Sequence, residues 1–213
     1  KRFTVAFGVV LAIVATLAPL VGEAQERVKA FDRLDGPRIA LPDNPGGASE
    51  MRQLCPDSTE TCQRYWAYTG YFVRNATIPA RDREVIILRT AWLNRGDYIW
   101  GRHNIIGQDA GLTEQEISRV TRGGDAAGWS NFDAALLRAA DELYTSRFIS
   151  ETTWDTLGER YTESQLREVV LIVGNYTQLS MFQNTLGAQL EPGIEGLPGD
   201  GRLNALHLEQ DPA

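Results

Sequence analysis

The run Arg81-Asp82-Arg83-Glu84-Val85-Ile86-Ile87-Leu88-Arg89-Thr90-Ala91-Trp92-Leu93 leaves almost no polar side after its first turn. A helix apolar on nearly every side belongs in the middle of others. Nowhere in the chain do apolar and polar residues alternate as a half-buried strand requires. The expected class is all-α.

Working outward, Asn94-Arg95-Gly96 breaks this helix and a second runs from Asp97 to Ala110, with Gly111 placed as the glycine just past its end. Thr113 and Glu116 form a capping box for a third helix reaching about Arg122. Gly123-Gly124 opens a loop, and Phe132 to Phe148 is amphipathic through Leu136, Leu137, Ala140 and Leu143. Ser150 caps a short helix, and Thr162 to Leu186 forms a long one with Gly187 beyond it. Upstream, Ser58 to Val73 is helical, and Tyr65, Tyr68 and Phe72 form an inward aromatic stripe, either plain core or also the wall of a ligand pocket. Arg83 to Leu88 echoes Arg167 to Ile172, either as a repeated hairpin or as two core helices of similar make-up.

These elements divide the chain into an export signal (1–24), an irregular Pro/Gly-rich N-terminal arm with the aromatic helix (25–76), a helical core (77–190) and a loosely packed tail (191–213). Lys1 and Arg2 precede an uncharged stretch from Phe3 to Val21, and small residues flank a cleavage position before Gln25. The expected localisation is secreted or periplasmic; the competing reading is an uncleaved anchor, the single route to a membrane. Cleavage would leave a formal charge of −8. Cys55 and Cys62, the two cysteines of the chain, then most simply form a structural disulfide, since the C-x-x-C spacing of redox thiols is absent.

With 43% hydrophobic and 23% charged residues, the 213-residue chain suits one domain with a sizeable core. Its net charge of −7, with no basic block, excludes nucleic acid as a partner. There is no dinucleotide fingerprint, P-loop, H-E-x-x-H or nucleophile elbow. With only His103 and His207, and both cysteines assigned to a disulfide, no tightly held metal and no cofactor is expected. Asn75-Ala76-Thr77 and Asn175-Tyr176-Thr177 match the glycosylation sequon, the second inside a buried helix.

What remains for chemistry is Arg83-Glu84-Val85-Ile86-Ile87-Leu88-Arg89, followed by Gly96-Asp97-Tyr98-Ile99-Trp100-Gly101-Arg102-His103. With the Ala110-Gly111-Leu112-Thr113 turn and the closing Val173-Gly174-Asn175-Tyr176, this region resembles the carboxymuconolactone decarboxylase-like and alkylhydroperoxidase-like superfamily, from about Ile78 to Leu190. The resemblance implies a compact helical bundle that assembles as a homo-oligomer, trimer or hexamer. It implies that Glu84 and His103 are the acid and histidine of the peroxidase branch, whose two thiol positions fall on Gly96 and Ile99. Both thiols are therefore missing, and dithiol peroxide chemistry with them. Tyr98, Trp100 and His103 match the Y-x-W-x-x-H arrangement of the decarboxylase-type branch.

The residues can also be weighed alone. His103 is either a hydrogen-bonded core histidine or a catalyst, and Glu84 either a first-turn acid favoured by the helix dipole or half of a pair. Burying a carboxylate without a partner is costly, and an imidazole on the next helix relieves that cost while supplying a base. Tyr98 lies about 140° around the helix from His103, so the two need not face one cavity; it donates to a substrate oxygen or anchors packing. Trp100 is a packing residue or pocket wall. Arg89 and Arg102 hold a substrate carboxylate or serve as surface and interface charges. The expectation is an exported enzyme moving a proton on a small lactone, keto acid or aromatic-derived carbonyl compound, of lyase, decarboxylase or isomerase type; the alternative is a non-catalytic binding protein.

Overall fold

Eight helices and no strand make up the described residues, 33–43 and 48–199, of the computed structural model. They are α1 (Glu50–Leu54), α2 (Glu60–Arg74), α3 (Ala80–Leu93), α4 (Asp97–Asp109), α5 (Glu114–Val120), α6 (Asn131–Ser146), α7 (Glu151–Gly158) and α8 (Glu163–Leu186). The expected export signal lies outside these residues, as does His207. Among the described residues no helix is long and apolar enough to cross a membrane.

The apolar run is the centre of the molecule. In α3, Val85, Ile86, Ile87, Leu88 and Ala91 are fully buried, and the helix packs against α4, α6 and α8. The capping box of Thr113 and Glu116 is present at α5, and a second one, Thr162 with Gln165, starts α8. The sequence echo has a packing explanation. Glu168 is buried like Glu84, but its Oε2 accepts from the Thr77 and Ile78 backbone N–H groups at 2.8 and 3.1 Å, so it fixes the turn into α3.

Three expectations need correction. The arm is not wholly irregular, because Met51 and Leu54 turn inward from the short helix α1 and are 4% exposed. The aromatic stripe is incomplete: Phe72 is buried and Tyr65 partly buried, but Tyr68 is 43% exposed. At 100° per residue Tyr65 and Phe72 nearly coincide around α2, and Tyr68 sits about 60° aside, touching Phe72 edge-on from outside. The segment after Glu191 is also better packed than expected up to residue 199. Leu197 is buried and its N–H donates to Asp97 Oδ1 at 2.7 Å. Of the two sequons, Asn75 is exposed and Asn175 buried.

The Cys55–Cys62 disulfide is formed and stabilises by about 2–3 kcal/mol in the chain-entropy view. Gly187 ends α8 in the left-handed region at φ 77°, and a Cβ there would strike the Gly36 carbonyl of the arm. Gly187→Ala is therefore expected to cost about 1–3 kcal/mol, read as a lower urea midpoint with an unchanged helical signal.

Candidate active site

The short turn between α3 and α4 is locked by α8. Asn184 donates from Nδ2 to the Asn94 carbonyl at 3.0 Å, and buried Gln183 accepts the Ile99 N–H at 3.1 Å. Four residues beyond His103, Gly107 faces α3: a Cβ at that glycine would meet Leu88 and the Glu84 Cβ at ordinary contact distances of 3.4 and 3.7 Å, and its tightest neighbour would be Leu112 at 3.2 Å. One acid on α3 and one imidazole on α4 are thereby brought into contact.

The contact is His103 Nδ1 to Glu84 Oε2 at 2.6 Å. Glu84 is 1% exposed and His103 8%. The other carboxylate oxygen, Oε1, accepts from Arg83 Nε at 3.0 Å. Burial by itself would push the Glu84 carboxyl up, but the hydrogen bond and charge of His103, joined by Arg83, hold it below the ordinary glutamate range. An ionised Glu84 can only accept, so Nδ1 carries a proton and a neutral ring presents its lone pair at Nε2. Tyr176 of α8 meets the imidazole edge-on at 5.0 Å and 90°, which fixes the ring plane. Burial and then the Glu84 charge raise the Tyr176 hydroxyl far above its usual value, so it stays neutral.

Beside the imidazole is a cavity of about 200 Å³, comparable with cavities known to accept a benzene-sized molecule. His103, Tyr98, Ile99, Arg102 and Ile106 of α4 line one part of it. Leu179 of α8, Trp66 of α2 and the residues Ser49, Met51 and Arg52 complete the wall. Among the described residues that wall carries two guanidinium groups, Arg52 and Arg102, and no carboxylate, although the whole chain is acidic.

Tyr98 shares the cavity with His103 despite the angle between them, because the cavity spans a broad strip of α4. Its hydroxyl is already engaged: it donates to Glu191 Oε1 at 3.0 Å and takes a bond from Ser49. Burial, offset by Ser49 and reinforced by Glu191, raises its pKa. Arg102 is half exposed and 3.8 Å from Glu191. Two expected substrate-binding residues are not at the cavity. Trp100 is 2% exposed and packs on Trp92 at 5.8 Å, because its side chain points into the core. Arg89 is buried on α3, where Nε donates to Asp141 Oδ1 at 2.6 Å and Nη1 to the Val120 and Thr121 carbonyls at 3.0 and 2.8 Å. It is a clamp between α3, the end of α5 and α6.

Arg52, Trp66, Arg83 and Tyr176 were not singled out as site residues from sequence. Arg83 could have been found as the cation adjoining Glu84, whereas Arg52 and Trp66 come from segments whose placement only tertiary packing determines. No group of three or more potential metal ligands is assembled among the described residues.

The helical bundle thus holds a buried carboxylate–imidazole pair beside a small cavity, an arrangement chemically able to transfer a proton. Residues 56–142 match the carboxymuconolactone decarboxylase family. Among solved structures, an alkylhydroperoxidase AhpD core protein from Ralstonia eutropha JMP134 superposes with a TM-score of 0.59 at 15% identity, covering 79% of this chain and 96% of that one. An AhpD-type antioxidant defence protein of unknown function from Agrobacterium tumefaciens gives 0.57 at 16% identity, over 62% and 91%. The debrominase Bmp8, solved in complex with 2,3,4-tribromopyrrole, gives 0.57 at 13% identity, over 73% and 79%. No curated protein matches the chain. Over residues 56–142 the chain is similar to the carboxymuconolactone decarboxylase family, and its helical fold is the one seen in the AhpD-type structures. Both of its cysteines are spent in the disulfide, and Ile99 contributes hydrocarbon to the cavity wall.

Proposed function

We propose that this chain is an exported, cofactor-independent enzyme that moves a proton on a small oxygenated acid, lactone or aromatic-derived carbonyl compound. The observation that carries the reading is the 2.6 Å Glu84–His103 pair, with the other imidazole nitrogen left for the cavity. In the forward step, Nε2 takes a proton from the carbon next to a substrate carbonyl. The C–H bond breaks, an N–H bond forms, and the electron pair moves onto the carbonyl oxygen as an enolate. Glu84 balances the imidazolium that results, and Arg102 faces the developing negative charge. Returning the proton to another carbon completes an isomerisation, and breaking the C–O bond at the β-carbon, with the ring carboxylate as leaving group, opens a lactone. In a decarboxylation the same enolate forms instead by C–C cleavage with loss of carbon dioxide, and protonated His103 then delivers a proton to carbon. The debrominase neighbour binds a halogenated pyrrole, a single ring of the size this cavity holds, and the two guanidinium groups favour an acidic substrate. The disulfide supports an oxidising compartment.

Small lactones and β-keto acids should be screened with wild type and His103→Ala. Loss of the general base is expected to lower turnover by about 10²–10⁴-fold. Turnover that persists in His103→Ala would place the chemistry elsewhere. One observation favours the alternative of a binding protein without catalysis: the Tyr98 hydroxyl, an expected oxyanion donor, is given to Glu191. Saturable ligand binding with no turnover of any screened compound would select that alternative.

A further inference from the structure

The helix α1 precedes the segment that matches the family, which begins at residue 56, yet Ser49, Met51 and Arg52 form part of the cavity wall. Five residues make no stable helix by themselves, so its position is set by what holds it. Glu50 Oε1 accepts the Gln189 N–H at 2.8 Å, Ser49 bonds Tyr98, and Trp66 Nε1 donates to the Cys55 carbonyl at 2.7 Å. The one covalent tie is Cys55–Cys62, joining the end of α1 to the first turn of α2.

That disulfide organises the surroundings of one side chain. The Arg52 guanidinium lies 4.7 Å over the ring of Trp66, and Trp66 stands one helical turn after Cys62. Arg52 Nη1 also donates to Asp57 Oδ1 at 2.9 Å, and Asp57 lies inside the loop that the disulfide closes. Both neighbours that aim Arg52 therefore depend on the same bridge. The Asp57 carboxylate is 69% exposed, so water screens it and the guanidinium keeps charge to offer a ligand. Its planar fork suits a carboxylate, and its position over an indole places that fork beside a flat wall.

We propose that Arg52 is the residue by which this cavity selects anionic ligands, and that the Cys55–Cys62 disulfide holds it in the selecting position. The proposal takes the cavity beside His103 as the substrate site, but its test needs no turnover. In a His207→Gln background, carbethoxylation of His103 by diethyl pyrocarbonate reports occupancy of the cavity, followed by mass spectrometry of the peptide. Benzoate and benzamide, flat and of one shape, serve as charged and neutral protectants. Benzoate is expected to protect at about tenfold lower concentration than benzamide, the scale of one charge-assisted hydrogen bond. Arg52→Gln should bring the two within about twofold. Arg102→Gln should keep most of the preference. Cys55→Ser/Cys62→Ser should lose it while hydrogen exchange in α3 and α4 stays as in wild type. Equal protection by the two compounds in wild type overturns the proposal, as does protection by neither. A preference that survives Arg52→Gln, or that vanishes instead with Arg102→Gln, overturns it as well. A preference intact in the double serine variant, or lost there with faster exchange through α3 and α4, removes the role of the disulfide. If benzoate is selected but His103→Ala leaves turnover unchanged, the reading of His103 as the base has failed while Arg52 still selects the ligand.

Discussion

Replacing His103 with alanine will destabilise the fold by about 3 kcal/mol at neutral pH, the low end of the cost of stripping a buried charge of its partner. The low end applies because Arg83 Nε remains 3.0 Å from the same carboxylate. The change should also reverse the response to acid. In wild type the Glu84 pKa is lowered in the folded state. Its stabilising contribution is then complete above the unfolded value of about 4.3 and is lost as pH falls through the folded value. Without His103, burial dominates and the folded pKa rises above the unfolded one. The variant then carries a penalty at neutral pH that disappears as pH falls through the raised value. Urea denaturation of His103→Ala against His103→Ala/Glu84→Gln, from pH 7 to pH 4, isolates this group from all other titrations. The single variant should gain on the double one as pH drops. A difference that stays flat or shrinks in favour of the double variant would show that burial does not dominate at Glu84.

Arg89→Ala will be about as damaging to stability and will leave the cavity unaltered. The substitution strands the Asp141 carboxylate and the Val120 and Thr121 carbonyls, which Arg89 now satisfies together. The Asp141 side chain left behind is 29% exposed, so water returns part of the cost and the loss is about 3 kcal/mol, or roughly a 10 °C lower Tm in a chain of this size. Arg89→Lys should recover little, since one ammonium cannot span the three acceptors in the geometry of a guanidinium fork. Reactivity of His103 toward diethyl pyrocarbonate, measured well below the Tm, should match wild type. A large change in that reactivity would return Arg89 to the site.

These two residues show what can be read along a chain. Glu84 and Arg89 are five positions apart on one helix, both charged and both buried, and neither composition nor periodicity tells them apart. The difference is the partner each meets, an imidazole at a cavity for one and an acid with two helix-end carbonyls for the other. Trp100 and Tyr98 make the same point on α4. The angle between Tyr98 and His103 left open whether they share a cavity, and Trp100 stood between packing residue and pocket wall; the cavity takes in Tyr98 and leaves Trp100 in the core.

What the order of residues by itself determined was local. An apolar run with no polar side made α3 the central helix, Thr-x-x-Glu started α5, a glycine beyond Leu186 ended α8, and the spacing of two cysteines allowed a bridge. Each of these depends on interactions within a few residues or on hydrophobicity alone, so they can be read from neighbours. The wall of the cavity was decided by tertiary structure. Arg52, Trp66, His103 and Leu179 come from four elements far apart in the chain, and their meeting follows from how α1, α2 and α8 pack around α4. That packing sums many weak, non-directional contacts over the whole core, which no single stretch of sequence contains.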